Sequence, residues 1–118
     1  SSNEIFELNN LPKSMVIIGG GYIACEFASI FNGLGIEITQ IYRGERILRG
    51  FDDDIRVNIE QSMMQKGIKI INKCIPLSIE IKEEQYELSL NFGQKIRTEL
   101  VLSAIGRKPK IKIWFLMV

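Results

Sequence analysis

Apolar and polar residues follow two periods along this chain, and the change from one to the other predicts the order of strands and helices. The β-branched apolar run Met15–Ile18 is too short for a helix and ends in three consecutive glycines. After the glycines, apolar residues recur at helical spacing, at Ile23, Phe27, Ile30, Phe31 and Leu34. The pattern therefore predicts a strand, a tight turn and an amphipathic helix.

The small residues at this turn match the spacing G-x-G-x-x-G/A, in which each position has a steric role. Gly19 permits the turn, Gly21 lets a pyrophosphate approach the backbone, and Ala24 lets the helix pack closely on the strand. The free amides and the positive dipole end of the helix favour a diphosphate. We predict a dinucleotide-binding βαβ unit, while the motif taken alone is also compatible with a simple glycine-rich turn.

A second strand is predicted over residues 36–42, where apolar and polar residues alternate. In dinucleotide-binding folds an acidic residue about 20 positions after the glycines binds the ribose 2′-hydroxyl, whereas an arginine nearby accommodates a 2′-phosphate. Here Arg43 ends the strand, and the next loop adds Arg46 and Arg49. Loop arginines are ordinarily a solvated surface, but their position at the ribose end of the site predicts NADP(H) rather than NAD(H).

A second helix is predicted to begin at the acidic run Asp52–Asp54, which offers a side-chain cap and complements the helix dipole. Its apolar stripe consists of Ile55, Ile59, Met63 and Met64, which we expect to be core residues. The acidic run resembles a metal site superficially, but Ca²⁺ needs more widely spaced oxygen ligands, so we predict no metal.

Short strands are predicted after this helix. A third strand over residues 68–71 should extend the parallel sheet. Strands over 75–81, 86–92 and 95–98 should form an antiparallel meander with a structural role, and the alternation of Tyr86, Leu88, Leu90 and Phe92 indicates one covered face. The predicted fold class is α/β, with a Rossmann-like parallel sheet flanked by helices and an antiparallel three-stranded β-meander.

A last buried strand is predicted to start at Leu100 and to run into the small-residue turn Ala104, Ile105 and Gly106. Ligands bind outside the carboxyl ends of parallel strands, so this turn should lie close to the glycine loop. From local sequence alone, a hairpin end would look the same, because small residues and proline mark turns generally.

Composition limits the classes of function that are open to the chain. Its 118 residues make one domain, and its net charge of +1 gives no broad basic surface for nucleic acid. Cys25 and Cys74 are too far apart for a C-x-x-C redox motif or a metal cluster, and the sequence contains no histidine. No apolar run reaches the ~20 residues that cross a bilayer. We expect a cytoplasmic protein without a nucleic-acid or membrane partner.

Three ordered segments resemble the FAD-dependent pyridine nucleotide-disulfide oxidoreductases, and within that family the NADPH-binding domain of glutathione reductases. These segments are residues 19–28, 42–52 and 104–109. Trypanothione reductases look very similar here, and dihydrolipoamide dehydrogenases and mercuric reductases share the architecture, but the arginine pair favours the first two. The expected domain covers residues 13–109, after an incoming linker over 1–12 and before a tail, 110–118, without a predicted structure.

The resemblance implies a role for each residue of the cofactor site. Glycines of the turn hold the pyrophosphate, and arginines after the second strand hold the 2′-phosphate; these residues are Gly19, Gly20, Gly21, Arg43 and Arg49, with Arg46 as a weaker third arginine. Ile23 packs at the adenosine-side turn or the nicotinamide rim. The turn Ala104, Ile105 and Gly106 lines the nicotinamide side.

Two further residues resemble parts of the family's nicotinamide site. Tyr22 matches the aromatic lid that covers the flavin until nicotinamide displaces it. Glu26 matches a carboxylate beside the nicotinamide and a lysine of the flavin domain. The structural alternatives are a packing tyrosine and an acidic residue on a helix surface.

The resemblance also implies parts that this sequence lacks. Such enzymes pass hydride from NADPH to FAD, then electrons to a cysteine pair and to glutathione disulfide, with a His-Glu pair from a dimerisation domain. We therefore expect one domain of a larger homodimeric reductase, with no catalytic residue in this fragment and no activity in isolation. An alternative from a different functional class is a non-enzymatic protein that senses dinucleotides.

Overall fold

A computed structural model describes residues 11–105 and 110–115. Two helices lie in this part of the chain, α1 (Tyr22–Gly33) and α2 (Asp53–Gln65). The strands are β1 (Ser14–Ile18), β2 (Glu37–Ile41), β3 (Lys69–Ile71), β4 (Pro76–Lys82), β5 (Gln85–Leu90), β6 (Lys95–Thr98), β7 (Leu100–Ile105) and β8 (Lys110–Phe115). The predicted α/β class, with a parallel sheet and an antiparallel meander, is confirmed.

The larger sheet has the strand order β3-β2-β1-β7-β8. Strand β1 pairs in parallel with both β2 and β7, and β2 pairs in parallel with β3. The register sets Ile18 opposite Ile41 on one side and Ser103 on the other. Because of this register, three strands end together at one edge, which is where ligands bind in open parallel sheets.

The segment after Pro109, for which the sequence predicted no structure, adds an edge strand. Strand β8 pairs antiparallel with β7, with Lys110 opposite Ile105 and Phe115 opposite Leu100. Its first residues alternate lysine and isoleucine, which is the period of a strand. The larger sheet is therefore mixed, with one antiparallel strand at its margin.

Both helices pack on one face of this sheet. The buried residues of this cluster include Met15, Ile17, Ile38, Leu100 and Leu102 from the strands, with Ala24, Ala28, Phe31 and Met63 from the helices. Each aliphatic side chain that is fully buried here stabilises the fold by roughly 1.5–3 kcal/mol. This apolar layer fixes α1 against the carboxyl edge of β1.

The predicted apolar stripe of α2 is only partly buried, which corrects the expectation of a continuous core face. Met63 is buried and Ile59 is half-buried, but Ile55 is 46% and Met64 51% exposed. Adjacent residues of a helix lie about 100° apart, so Met63 and Met64 cannot both face the sheet. The candidate aspartate cap is only partly correct, because Asp52 is the N-cap residue but makes no side-chain capping bond.

The meander covers the other face of the larger sheet, with the strand order β4-β5-β6. Tyr86, Leu88 and Leu90 pack in one buried cluster with residues of β1, β2 and β7, which confirms the predicted covered face. Phe92 does not belong to it and is 52% exposed, because β5 ends at Leu90 and the chain turns.

A network of opposite charges forms on the meander around Glu87, whose side chain is nearly buried. Its carboxylate lies 3.1 Å from Arg97 Nε, 3.2 Å from Lys82 Nζ and 3.7 Å from Lys95 Nζ. Hydrogen bonds from Arg97 and then Lys82 hold the pKa of Glu87 below its ordinary value. The charged form of Glu87 therefore stabilises the folded chain.

This network predicts a pH-dependent stability. Because the pKa of Glu87 is lower in the folded chain than in the unfolded chain, its stabilisation is fully present above the ordinary value of 4.5 and is lost as the pH falls through the folded value. Urea unfolding should show wild type more stable than Glu87→Gln at neutral pH, with the difference shrinking below about pH 4.5.

The control is Glu84→Gln, an exposed carboxylate with no ion pair among the described residues. It should change the free energy of unfolding little at any pH. A difference between wild type and Glu87→Gln that stays constant from neutral pH to pH 3 would contradict the role of the charge.

Candidate dinucleotide-binding site

The glycine turn between β1 and α1 is fixed by both neighbouring strands. Gly19 has a φ of +136°, which L side chains rarely adopt, and a Cβ there would overlap the carbonyl oxygen of Ala104. Its amide donates to the Ile41 carbonyl at 2.9 Å. Only glycine fits at this position, so the steric role predicted for Gly19 agrees with the geometry.

The next two glycines meet different surroundings. A Cβ on Gly20 would lie 2.6 Å from the ring of Tyr42, whereas a Cβ on Gly21 would have no neighbour within 4 Å. Gly21 is the N-cap residue of α1 and provides no side-chain capping bond. The backbone at Gly21 therefore borders open space, and the first turn of α1 carries no acidic residue, which is the arrangement that suits an anion. Ala24 is buried behind it.

The arginine loop, residues 43–49, is tied to this glycine turn. The Leu48 amide donates to the Gly20 carbonyl at 2.6 Å, and the ring of Tyr42 packs against both Gly20 and Gly44. Ile47 and Leu48 are buried in the helix-side core, although Leu48 has a φ of +62°. Ile47 and Leu48 thus anchor the loop, a role that was not predicted from the sequence, where only the charges of the loop were considered.

The three arginines of the loop differ in exposure but not in pairing. Arg43 and Arg49 are exposed and Arg46 is half-buried. Within residues 11–105 and 110–115, none of their guanidinium groups forms an ion pair. The loop therefore holds free cations beside the glycine turn. Their assignment to a 2′-phosphate stays a prediction.

Arg56, on α2, is a further residue beside the loop that the sequence did not predict. Its Nε donates to the Ile47 carbonyl at 2.9 Å and its Nη2 to the Arg46 carbonyl at 2.7 Å. Its Nη1 lies 3.3 Å from Asp53 Oδ1. Nothing in the local sequence signals these bonds, because they join a helix to a loop about ten positions away.

Gln40 is a buried polar residue beneath the glycine turn. Its Nε2 donates to the Gly19 carbonyl at 2.9 Å and lies 3.5 Å from Cys25 Sγ. Burial raises the pKa of the Cys25 thiol, which donates to the Gly20 carbonyl at 3.9 Å. The signal for Gln40 was available, because it interrupts the alternation of the second strand at a position that faces the core.

Tyr22 and Glu26 lie one turn apart at the exposed start of α1. Tyr22 is 61% exposed, and a hydrogen bond to the Glu26 carboxylate raises the pKa of its phenol. Ile23 is half-buried between them and the core. On the neighbouring strand Ala104 is buried and Ile105 is exposed, while Gly106 lies outside the described residues.

Metal-binding clusters and membrane-spanning helices are both absent from the described residues. No group of three or more histidine, cysteine, aspartate or glutamate side chains could hold a metal ion there. Neither of the helices in that part of the chain is long and apolar enough to cross a membrane.

Comparison with known proteins shows relatives along nearly the whole chain. It is 46% identical over 113 residues to glutathione reductase of Nostoc sp., covering 94% of this chain and 25% of the relative. It is 36% identical over 114 residues to trypanothione reductase of Trypanosoma congolense, covering 93% of this chain and 23% of the relative. The chain thus spans about a quarter of the length of these relatives.

A similar solved structure is that of an engineered water-forming NADPH oxidase bound to NADPH, with a TM-score of 0.81 and 25% sequence identity. The similarity covers 89% of this chain and 23% of the oxidase. The family model for pyridine nucleotide-disulphide oxidoreductases matches residues 1–115. This chain belongs to the pyridine nucleotide-disulphide oxidoreductase family.

Proposed function

We propose that this chain is the NADPH-binding domain of a flavin-dependent glutathione-disulfide reductase. One observation carries the proposal: Arg43 and Arg49, which are exposed and form no ion pair within the described residues, are the two ends of a loop whose Leu48 amide is bonded to the glycine turn. A pyrophosphate at the start of α1 would place the adenosine ribose toward this loop. Two guanidinium groups there match a dianionic 2′-phosphate.

The NADPH-bound oxidase supports this assignment through its substitutions. It carries two introduced arginines six positions apart, and the residue before the first was changed from aspartate to alanine. Arg43 and Arg49 are also six positions apart, and the residue before Arg43 is Tyr42 rather than an acid. The oxidase further carries a glycine-to-alanine change nineteen positions before its first introduced arginine, which is the spacing from Ala24 to Arg43.

In the proposed reaction the chain binds and orients the cofactor. When bound, the cofactor would supply the reducing equivalents for the flavin, the cysteine pair and glutathione disulfide elsewhere in the reductase, while the glycine turn and the arginine loop would hold it in this domain. Tyr22 and Glu26 would face the nicotinamide from the start of α1, with Tyr22 as a movable cover and Glu26 as a polar contact. Ala104 and Ile105 would line the same side from the end of β7.

The proposed disulfide substrate follows from the relatives and not from this site. The highest of the identities to these relatives, 46%, is to a glutathione reductase, whereas a second glutathione reductase, at 38%, is no more similar to this chain than a trypanothione reductase at 39%. The substrate, the FAD and the partner subunit of a homodimer would contact other parts of the reductase. A cytoplasmic location is part of the same proposal.

Replacing both loop arginines should change cofactor selectivity. In Arg43→Ala/Arg49→Ala, NADPH binding should weaken by roughly tenfold to a few hundredfold per site, because hydrogen bonds between charged groups contribute about 1.5–3 kcal/mol. The two losses should not be fully additive, since both residues bind one phosphate. NADH binding should change little. Titration of both cofactors by calorimetry or nicotinamide fluorescence measures the two affinities.

Lys66→Ala is the matched control, because it removes a positive charge at the C-terminal end of α2, whereas the arginine loop contacts the first turns of that helix. It should leave both affinities unchanged. Equal losses for NADH and NADPH in the double variant would mean that the arginines support the fold or the pyrophosphate, and the 2′-phosphate assignment would be wrong.

Tyr22→Ala should scarcely change the affinity of this chain for NADPH. Tyr22 is exposed, and the flavin that it would cover belongs to another domain. The measurement is the same titration, with Ile30→Ala as the control for loss of an exposed apolar side chain on α1. Loss of NADPH binding in Tyr22→Ala alone would make Tyr22 a primary contact instead of a cover.

A further inference from the structure

The guanidinium of Arg56 closes on two successive carbonyl groups of the arginine loop. Nε binds the carbonyl of Ile47 at 2.9 Å and Nη2 binds that of Arg46 at 2.7 Å. The side chain is only 19% exposed, so these charge-assisted bonds are partly shielded from water. Arg56 therefore joins α2 to the loop at the residues that lie between Arg43 and Arg49.

The loop needs such a partner because it has no regular secondary structure. Its carbonyl groups cannot be satisfied by a helix or a sheet ladder, and buried carbonyls require partners. Leu48 also adopts a left-handed φ of +62°, which persists only where the surroundings impose it. The Leu48 bond to Gly20 and the Lys73 amide, which donates to the Gly44 carbonyl at 2.8 Å, hold other parts of the loop, whereas Arg56 binds the carbonyls of residues 46 and 47.

We infer that Arg56 is a positioning residue for 2′-phosphate recognition, because it fixes the loop in the shape that keeps Arg43 and Arg49 beside the glycine turn. This inference rests on the proposed function. Arg56 acts through the loop backbone and does not itself contact the cofactor. Without it, the loop would have to be ordered when the phosphate binds, and that ordering would lower the affinity for NADPH.

The decisive variant is Arg56→Lys, which keeps the positive charge and most of the stem. A lysine ammonium lacks the planar fork that spans two neighbouring carbonyls. We expect roughly three- to tenfold weaker NADPH binding from loss of loop order, with NADH affinity unchanged. Because Arg56→Lys retains the positive charge, a changed NADPH/NADH affinity ratio could not be explained by a lost electrostatic attraction between residue 56 and the 2′-phosphate. Arg56→Met, with thermal unfolding measured in parallel, should shift the ratio in the same direction.

Asp53→Asn is the control, because it removes the ion pair between Arg56 Nη1 and Asp53 and leaves the bonds from Arg56 to both loop carbonyls. It should change the ratio by less than about twofold, as expected for an exposed pair. Arg56→Lys should also have no further effect on the NADPH/NADH affinity ratio in the Arg43→Ala/Arg49→Ala background. The loop of that double variant no longer carries the two arginines that Arg56 would position.

The outcomes separate the two proposals. If Arg43→Ala/Arg49→Ala leaves the NADPH/NADH ratio unchanged, the proposed function fails. If that double variant lowers the ratio but folded Arg56→Lys retains the wild-type ratio, the role of Arg56 is overturned. A loss that is equal for NADH and NADPH in Arg56→Lys would also overturn it, because Arg56 would then be a purely structural residue.

Discussion

The hydrogen bond from the Leu48 amide to the Gly20 carbonyl joins the two halves of the candidate site. On one side is the glycine turn at the start of α1; on the other is a loop whose three arginines form no ion pair in the part of the chain that the structure describes. The bond can form because Ile47 and Leu48 are buried and Tyr42 packs against both segments. The start of α1 and the cationic loop thereby form one surface, which is where we propose that a phosphorylated dinucleotide binds.

This surface depends on the layers beneath it. The larger sheet is covered by helices on one face and by the meander on the other, so β1, β2 and β7 bury apolar side chains on both faces and end together. Gln40 adds a buried amide under the glycine turn and donates to the Gly19 carbonyl. The positive φ of Gly19, and that of Leu48, which is costly for a residue with a side chain, are thus held by contacts on several sides.

The sequence predicted those features that depend on local periodicity. The strand before Gly19, the helix after it and the three strands of the meander all lie where the periods of two and 3.6 predict them, although Ile30 and Leu34 of the helix's apolar series are exposed. Contacts between distant segments left weaker signals. Nothing near Arg56 indicates that it binds the backbone at Arg46, and helical spacing alone could not show that Ile55 is exposed. The strand β8 was missed, although lysine and isoleucine alternate over its first residues.

The central claim is that the free charge beside the glycine turn selects the phosphorylated cofactor. The most direct measurement is the affinity of the unmutated chain for NADPH and for NADH over a series of salt concentrations, by calorimetry. The account predicts that NADPH binds at least about tenfold more tightly at low salt, and that this preference shrinks as ionic strength rises, since exposed charges are screened. Equal affinities at low salt, or a preference for NADH, would contradict it.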